Sequence, residues 1–327
     1  MLAYLVRKFF LTISIVFGVM VVTFFLFNVV AKDPARAYAG KEKSEEQLRA
    51  VRAQMGLDKP KVALNFKAYH AATDHRLAAL LDTQFFNIIS FQFPQSMRYQ
   101  ESVWSLFRRK AAVSLAIQLP VFVIELGLQL AIALFVASRR NSAADYSVTV
   151  LAVFMMSLPS LSVYLGVQWF FGAYLKWFPV AGWGQGVLYA IHFAALPIIV
   201  SIAGGLGGPI RFYRTVALEE IGNDYVRTAR AKGIGQTDVL LVHVLRNLMM
   251  PVVTNTIVAI PFLVTGALIM ENIFQIPGFG GLLVQSIGGQ DSPVLMAQIY
   301  LTSIAYAVML FVTDICYTLV DPRVVLR

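Results

Sequence analysis

Six apolar runs limit what this chain can fold into. Phe9–Val30, Ala111–Ala137, Val148–Phe171, Tyr189–Ile210, Met250–Met270 and Leu295–Leu319 reach or approach the roughly 20 residues with which an α-helix crosses a bilayer. Lipid offers no water to backbone N–H and C=O groups, so such runs are expected to be helical. Composition agrees: 58% of the 327 residues are hydrophobic and 14% charged, against about 25% charged in soluble domains. The sequence predicts an all-α integral membrane protein with six spans, not the two soluble domains that length alone suggests. The first run follows Arg7 and Lys8. It exceeds the roughly 7–15 apolar residues of a cleaved leader and reads as an uncleaved signal anchor. The lone cysteine, Cys316, excludes a disulfide within the chain.

Charge placement orients the spans. Outside residues 31–110 there are 13 Lys/Arg. Twelve lie at Arg7 and Lys8, at Arg139–Arg140, in the loop 211–249, and at Arg323 and Arg327; Lys176 is the exception. Six spans put those four places on one side, which the positive-inside rule makes cytoplasmic, with both termini inside. The segment 31–110, with 14 Lys/Arg and 8 Asp/Glu, falls outside and exceeds the roughly 60-residue loops to which the rule applies. The expected organisation is a signal-anchor span at 1–30, an external domain at 31–110, and a core of five spans at 111–327 with a cytoplasmic loop at 211–249. Clustered this way, the net charge of +9 follows membrane topology and implies no nucleic-acid partner.

Local patterns add detail. Glu42–Gln54 reads as a polar helix and Gly56–Pro60 as a turn. Leu77–Phe93 is too broken by polar residues to span. Trp177, Phe178 and Trp183 suit an interfacial aromatic belt. "GGLGGP", Gly204–Pro209, is a flexible helix end or a packing motif with Gly204 and Gly208 at G-x-x-x-G spacing. Pro197, Pro251 and Pro261 fall within spans, where they kink helices.

No G-x-x-x-x-G-K-[ST] phosphate loop occurs. The histidines His70, His75, His192 and His243 form no metal constellation, and no nucleophile–base arrangement stands out. The chain is expected to catalyse nothing and to hold no cofactor or metal. Ionisable residues inside spans are functional candidates. Glu125, in the middle of the second run, either faces a polar pathway or bonds to a neighbouring helix. Glu271 and Asp314, near span ends, read as snorkelling or capping groups.

One polar cassette interrupts the apolar chain: "LEEIGNDYVRTARAKGIG", from Leu218 to Gly235. On a helix Leu218, Ile221, Tyr225 and Ala229 form one stripe. Glu219, Glu220 and Asp224 lie toward the N-terminal end and Arg227, Arg230 and Lys232 toward the C-terminal end, each complementing the helix dipole. Gly233 suits a left-handed C-cap. The cassette is either a solvated connector or a helix that docks into another protein, with Ala229 and Ala231 permitting close approach.

"DYVRTARAKGI" followed by "VLLVHVLRNLMMPVVT" (Val239–Thr254) resembles the coupling loop, often called the EAA loop, of ATP-binding-cassette importer permeases of the dipeptide/oligopeptide/nickel family. "VVAKDPA" (Val29–Ala35), "MGLDKP" (Met55–Pro60), "FPVAGW" (Phe178–Trp183), "ENIFQIPGFGGLLVQSI" (Glu271–Ile287) and "DICYTLVDPRV" (Asp314–Val324) match further family elements in order, so the resemblance covers almost the whole chain. Lys32 replaces a usual glycine, and Phe91–Ser96 and the stretch 61–90 depart from the family pattern, all in the external segment.

The resemblance implies a type I importer fold in a bacterial cytoplasmic membrane. It also implies a second homologous permease, two cytoplasmic ATPase subunits that hold ATP and Mg, and an external solute-binding protein. Glu219, Glu220, Asp224, Tyr225, Arg227, Ala229, Arg230, Lys232 and Gly233 would couple the ATPase to the spans; Glu125 is a candidate for the pathway only by its place inside a span. Short peptides are the expected cargo. An ion- or proton-coupled carrier without ATPases and a membrane-embedded sensor are the other classes.

Overall fold

Helices account for the regular structure of the computed structural model, which describes residues 2–27, 35, 44–54, 56–62, 64–71, 79–184 and 186–320. No strand occurs among them. In chain order the helices are α1 (Leu2–Phe25), α2 (Glu45–Gln54), α3 (Phe66–Ala71), α4 (Gln84–Ile89), α5 (Val103–Ser138), α6 (Ala143–Ser157), α7 (Ser160–Val167), α8 (Val187–Gly205), α9 (Gly207–Ile221) and α10 (Asp224–Ala231). A π-helical turn, Gln168–Tyr174, extends α7. After α10 a short turn at Gln236–Asp238 and a π-helical stretch, Val239–Val244, lead into α11 (Leu245–Thr265), α12 (Leu268–Ile273), α13 (Phe279–Gly288) and α14 (Ser292–Val320).

Four stretches among the described residues are long and apolar enough to cross a membrane: Val6–Phe25, Val103–Ser138, Gln236–Ile273 and Ser292–Cys316. Two bent pairs raise the number to six if each is one span. The third and fourth expected spans are therefore not straight rods. Between α6 and α7 the chain turns by 97° at Leu158–Pro159, where Leu158 is extended (φ −83°, ψ 128°). A residue before proline is biased out of the helical region, which favours a break at this point. Between α8 and α9 the bend is 41°. Pro120, Pro197, Pro251 and Pro261 all lie inside helices that continue through them.

The chain divides into two compact units. One is built on Met1–Ala111 and Leu282–Phe311, the other on Ala112–Gly281 and the end of α14. In the first unit Met20 and Phe24 pack with Ile88, Met296 and Tyr300, and the Tyr300 hydroxyl donates to the Met20 carbonyl at 2.9 Å. Buried Asp291 accepts from Ser96 Oγ at 2.5 Å and from the Met97 and Arg98 backbone N–H groups. Gly56 takes φ +66° in the expected turn. Asp82 accepts from Lys59 Nζ at 2.7 Å and Asn87 Nδ2 at 2.8 Å. Burial pushes the Asp82 carboxyl up, but these two donors outweigh it and hold the group below the ordinary carboxylate range. Lys32, Asp33, Pro34, Met55, Asp74, His75, Arg323 and Arg327 lie outside the described residues.

Two apolar clusters lie among the described residues of the second unit. One gathers Ile117, Val121, Leu196, Val200, Met270, Phe274 and Ile276, with Phe178 and Trp183 packed against it. Of the three expected belt aromatics only Trp177 is exposed, at 63%; Phe178 and Trp183 turn inward. The other cluster gathers Ala133, Ala137, Tyr213, Ala217, Val226, Ala229, Val239, Val244 and Leu248, and it carries the candidate site.

Glu271 corrects the expectation of a snorkelling group. It is 1% exposed and accepts from Ser114 Oγ at 2.6 Å and from the Gly281 N–H at 2.8 Å. Ser114 Oγ in turn accepts from the Phe279 N–H at 2.7 Å. Together they cap the start of α13, whose first N–H groups have no partner within their own helix. A Cβ on Gly266 or Gly278 would collide with the Glu271 carboxylate, so bare backbone is required there. Capping was half of the expectation, and it holds.

Candidate functional site

The cassette is two helices, not one. Gly222 closes α9, and Asn223 is extended (φ −71°, ψ 151°) before α10 begins at Asp224. That residue shifts the register, so the expected stripe breaks. Leu218, Ile221 and Ala229 pack in the core as expected, but Val226 takes the place of Tyr225. Val226 is 0% and Ala229 5% exposed. Ala229 thus faces this chain's own helices α5, α9 and α11 and is not available to permit close approach of another protein; Ala231 is exposed.

Tyr225 is held from the side. Its hydroxyl donates to Glu220 Oε2. Asn247 Nδ2 donates to the Tyr225 hydroxyl at 2.7 Å and to Glu220 Oε2 at 3.2 Å. Asn223 Nδ2 donates to the same oxygen at 3.1 Å. One carboxylate oxygen therefore joins the end of α9, the start of α10 and the beginning of α11. Burial first, and the acceptor Glu220 second, push the Tyr225 phenol up from its ordinary value, so it stays a donor. Neither asparagine stood out in the sequence.

The outer face of α10 is charged. Asp224, Arg227, Arg230 and Lys232 are exposed, as is Glu219 at the end of α9. Asp224 and Arg227 pair at 3.4 Å with side chains 95% and 75% exposed, an arrangement that adds little stability. Lys232 ends the helix and Gly233 follows at φ +80°, the left-handed stop that glycine adopts without the Cβ penalty.

A buried ion pair braces α9 from the other side. Arg214 Nε and Nη2 donate to the two Asp145 oxygens at 2.6 and 2.7 Å. Asp145 is 3% exposed and also accepts the Asn141 N–H at 2.9 Å. The planar guanidinium suits this two-bond contact, which adds orientation as well as energy.

At its other end α9 meets Glu125. Gln129 Nε2 donates to Glu125 Oε1 at 2.8 Å, and both line a cleft of about 230 Å³ with Phe122, Tyr213, Asn255 and Thr256. A Cβ on Gly205 would overlap the Glu125 carboxylate, and one on Gly207 would meet the Ala152 carbonyl. Gly204 and Gly208, the G-x-x-x-G pair, have nothing near their missing side chains. The helix end at the α8–α9 bend is the reading the structure favours, and the glycines that matter are the intervening two. In its 15 residues, at 1.5 Å each, α9 extends about 22 Å from the Glu125 cleft to the Tyr225 clamp.

Comparison with known proteins places this architecture. Residues 129–326 match the family described as binding-protein-dependent transport system inner membrane component, and residues 1–117 match its N-terminal family. The chain is 29% identical over 330 residues to the dipeptide transport system permease protein DppB of Bacillus subtilis, covering 100% of this chain and 99% of that one. It is 30% identical over 327 residues to the glutathione transport system permease protein GsiC of Salmonella choleraesuis, covering 99% of each. With apolar spanning helices, a charged helix carried at the end of one of them, and a family match over more than half its length, the chain belongs to the binding-protein-dependent transport system inner membrane components.

Proposed function

We propose that this chain is the permease subunit of an ATP-driven, binding-protein-dependent importer of short peptides in a bacterial cytoplasmic membrane. It would span six times with both termini inside and would place residues 31–110 outside. The observation that carries the reading is α10: a helix with a buried apolar face, an exposed charged face, and a rigid tie through Glu220 to a transmembrane lever.

Two ATPase subunits, with their ATP and Mg, would bind the outward face of α10, where Arg227, Arg230 and Lys232 meet a partner surface. Closure of the ATPase pair would push α10, and α9 would carry the displacement to the α8–α9 bend. A second homologous permease would complete the pathway, and an external solute-binding protein would deliver the cargo. Coupling of this kind needs an element with two arrangements and different contacts in each. The bend at Gly205–Gly207 above a braced helix would be that element.

Peptide cargo is supported by the similarity to DppB and GsiC, whose names give dipeptide and glutathione. Reconstitution of the assembly in proteoliposomes tests the reading. Uptake of radiolabelled dialanine is expected to require ATP on the cytoplasmic side and binding protein on the outer side. Uptake driven by an ion gradient without ATP would instead make the chain a secondary carrier that uses Glu125.

A further inference from the structure

An acid in a membrane-spanning helix is unfavourable unless something balances it. Glu125 lies midway along α5 and is half-buried. Gln129, itself 7% exposed, satisfies one carboxylate oxygen at 2.8 Å. No basic side chain pairs with Glu125 among the described residues, and none lines its cleft. Thr256 Oγ1, at the same cleft, has no hydrogen-bond partner. The cleft thus holds one carboxylate without a basic partner, beside amide and hydroxyl groups that both donate and accept. The unpaired carboxylate favours a cation over an anion there.

An ammonium group carries three donors and no acceptor, and the Glu125 oxygen that Gln129 leaves free can accept from it. The volume of about 230 Å³ falls below the roughly 300–1,000 Å³ of sites that enclose a whole drug-sized ligand. One end of a solute fits, with Phe122 and Leu126 as apolar walls. The carboxylate also lies against Gly205, where α8 bends into α9. A bound cation would sit at the hinge of the helix that carries α10.

We infer that the Glu125–Gln129–Thr256 cleft is a cation subsite that takes the primary ammonium group of the cargo during passage, the N-terminal ammonium if the cargo is a peptide. This rests on the importer reading only for the identity of the cargo; the cation site stands on the geometry.

The test is ligand binding to the full-length chain in lipid nanodiscs, followed by saturation-transfer NMR at neutral pH. The probes are dialanine, N-acetyl-dialanine and n-butylammonium. Dialanine and n-butylammonium are expected to bind. N-acetylation, or the variant Glu125→Gln, is expected to weaken dialanine binding about tenfold or more, the worth of one charged hydrogen bond. Glu125→Asp should keep part of the affinity and shows that loss in the glutamine variant is not misfolding. Equal binding of dialanine and N-acetyl-dialanine, undiminished binding to Glu125→Gln, or no binding by n-butylammonium would overturn the site. Binding of n-butylammonium but not dialanine supports the site and counts against peptide cargo. Uptake of dialanine that needs ATP but is indifferent to Glu125→Gln and to N-acetylation leaves the importer reading standing and removes the subsite.

Discussion

Tyr225 donates its hydroxyl to Glu220 across the break between α9 and α10, and Asn247 donates to both. The contact ties the exposed helix α10 to α9 and α11. Tyr225→Phe removes the hydroxyl and leaves the ring, and Asn247→Ala removes the donor from α11. Each is expected to cost about 0.5–1.5 kcal/mol of local stability and to lower ATP-dependent uptake several-fold while the amount in the membrane stays unchanged. Because the two residues share one network, the double variant should lose less than the sum of the single losses. Uptake and thermal unfolding of all three variants in parallel check this.

The Asp145–Arg214 pair is a bracing contact for α9. Arg214→Ala leaves a carboxylate that is 3% exposed without its cation. Breaking a buried pair in this way costs about 3–5 kcal/mol. A sharp fall in the unfolding temperature in detergent is expected. Arg214→Lys, which keeps the charge but loses the fork, should fall between the two.

How much of this was legible in the sequence varies by scale. The apolar helices were, because about 20 apolar residues in a row have few other uses: four are long enough to span, and two bent pairs fall on the other two runs. Their bends were less so: Pro159 sits inside an apolar run and periodicity does not register it. The helical spacing of the cassette put Tyr225 on the buried stripe, and one extended residue, Asn223, turned it to the side. Helix-end chemistry, which is local, held for Asp224 at the start of α10 and for Gly233, but not for Glu219 and Glu220, expected toward an N-terminal end and found in the last turn of α9. Asn247, Asp145 and Ser114 were not legible, because their partners lie 22, 69 and 157 residues away and no local pattern marks them.

Glu271 gives a third test. Glu271→Ala leaves the Ser114 hydroxyl and the Gly281 N–H without their acceptor in a buried setting, at about 1–3 kcal/mol for each unsatisfied group. Glu271→Gln keeps the shape and should be milder. Gly278→Ala, whose new methyl group meets the carboxylate, is expected to match the alanine variant in lost thermal stability although it removes no hydrogen-bonding group.

Acid should loosen the first unit through Asp82. Its folded-state carboxyl lies below the ordinary value. The stabilisation is therefore complete above the unfolded value of about 3.9 and is lost as pH falls through the lower folded value. The difference in unfolding temperature between wild type and Asp82→Asn is expected to be constant near neutrality and to vanish in acid below that range. A difference that grows on acidification would contradict the assignment.

The two faces of α10 give the most direct test of the whole account. Arg227→Glu with Arg230→Glu alters only exposed side chains, whereas Ala229→Glu puts a charge into the core beneath. The measurement is ATPase co-purification from the native membrane through an affinity tag on this chain, with thermal unfolding of the same sample. The double arginine variant is predicted to unfold at the wild-type temperature and to lose the ATPases, while Ala229→Glu loses stability first. Wild-type recovery of ATPases by the double arginine variant, with ATP-dependent uptake intact, would contradict the assignment of α10 as the coupling surface.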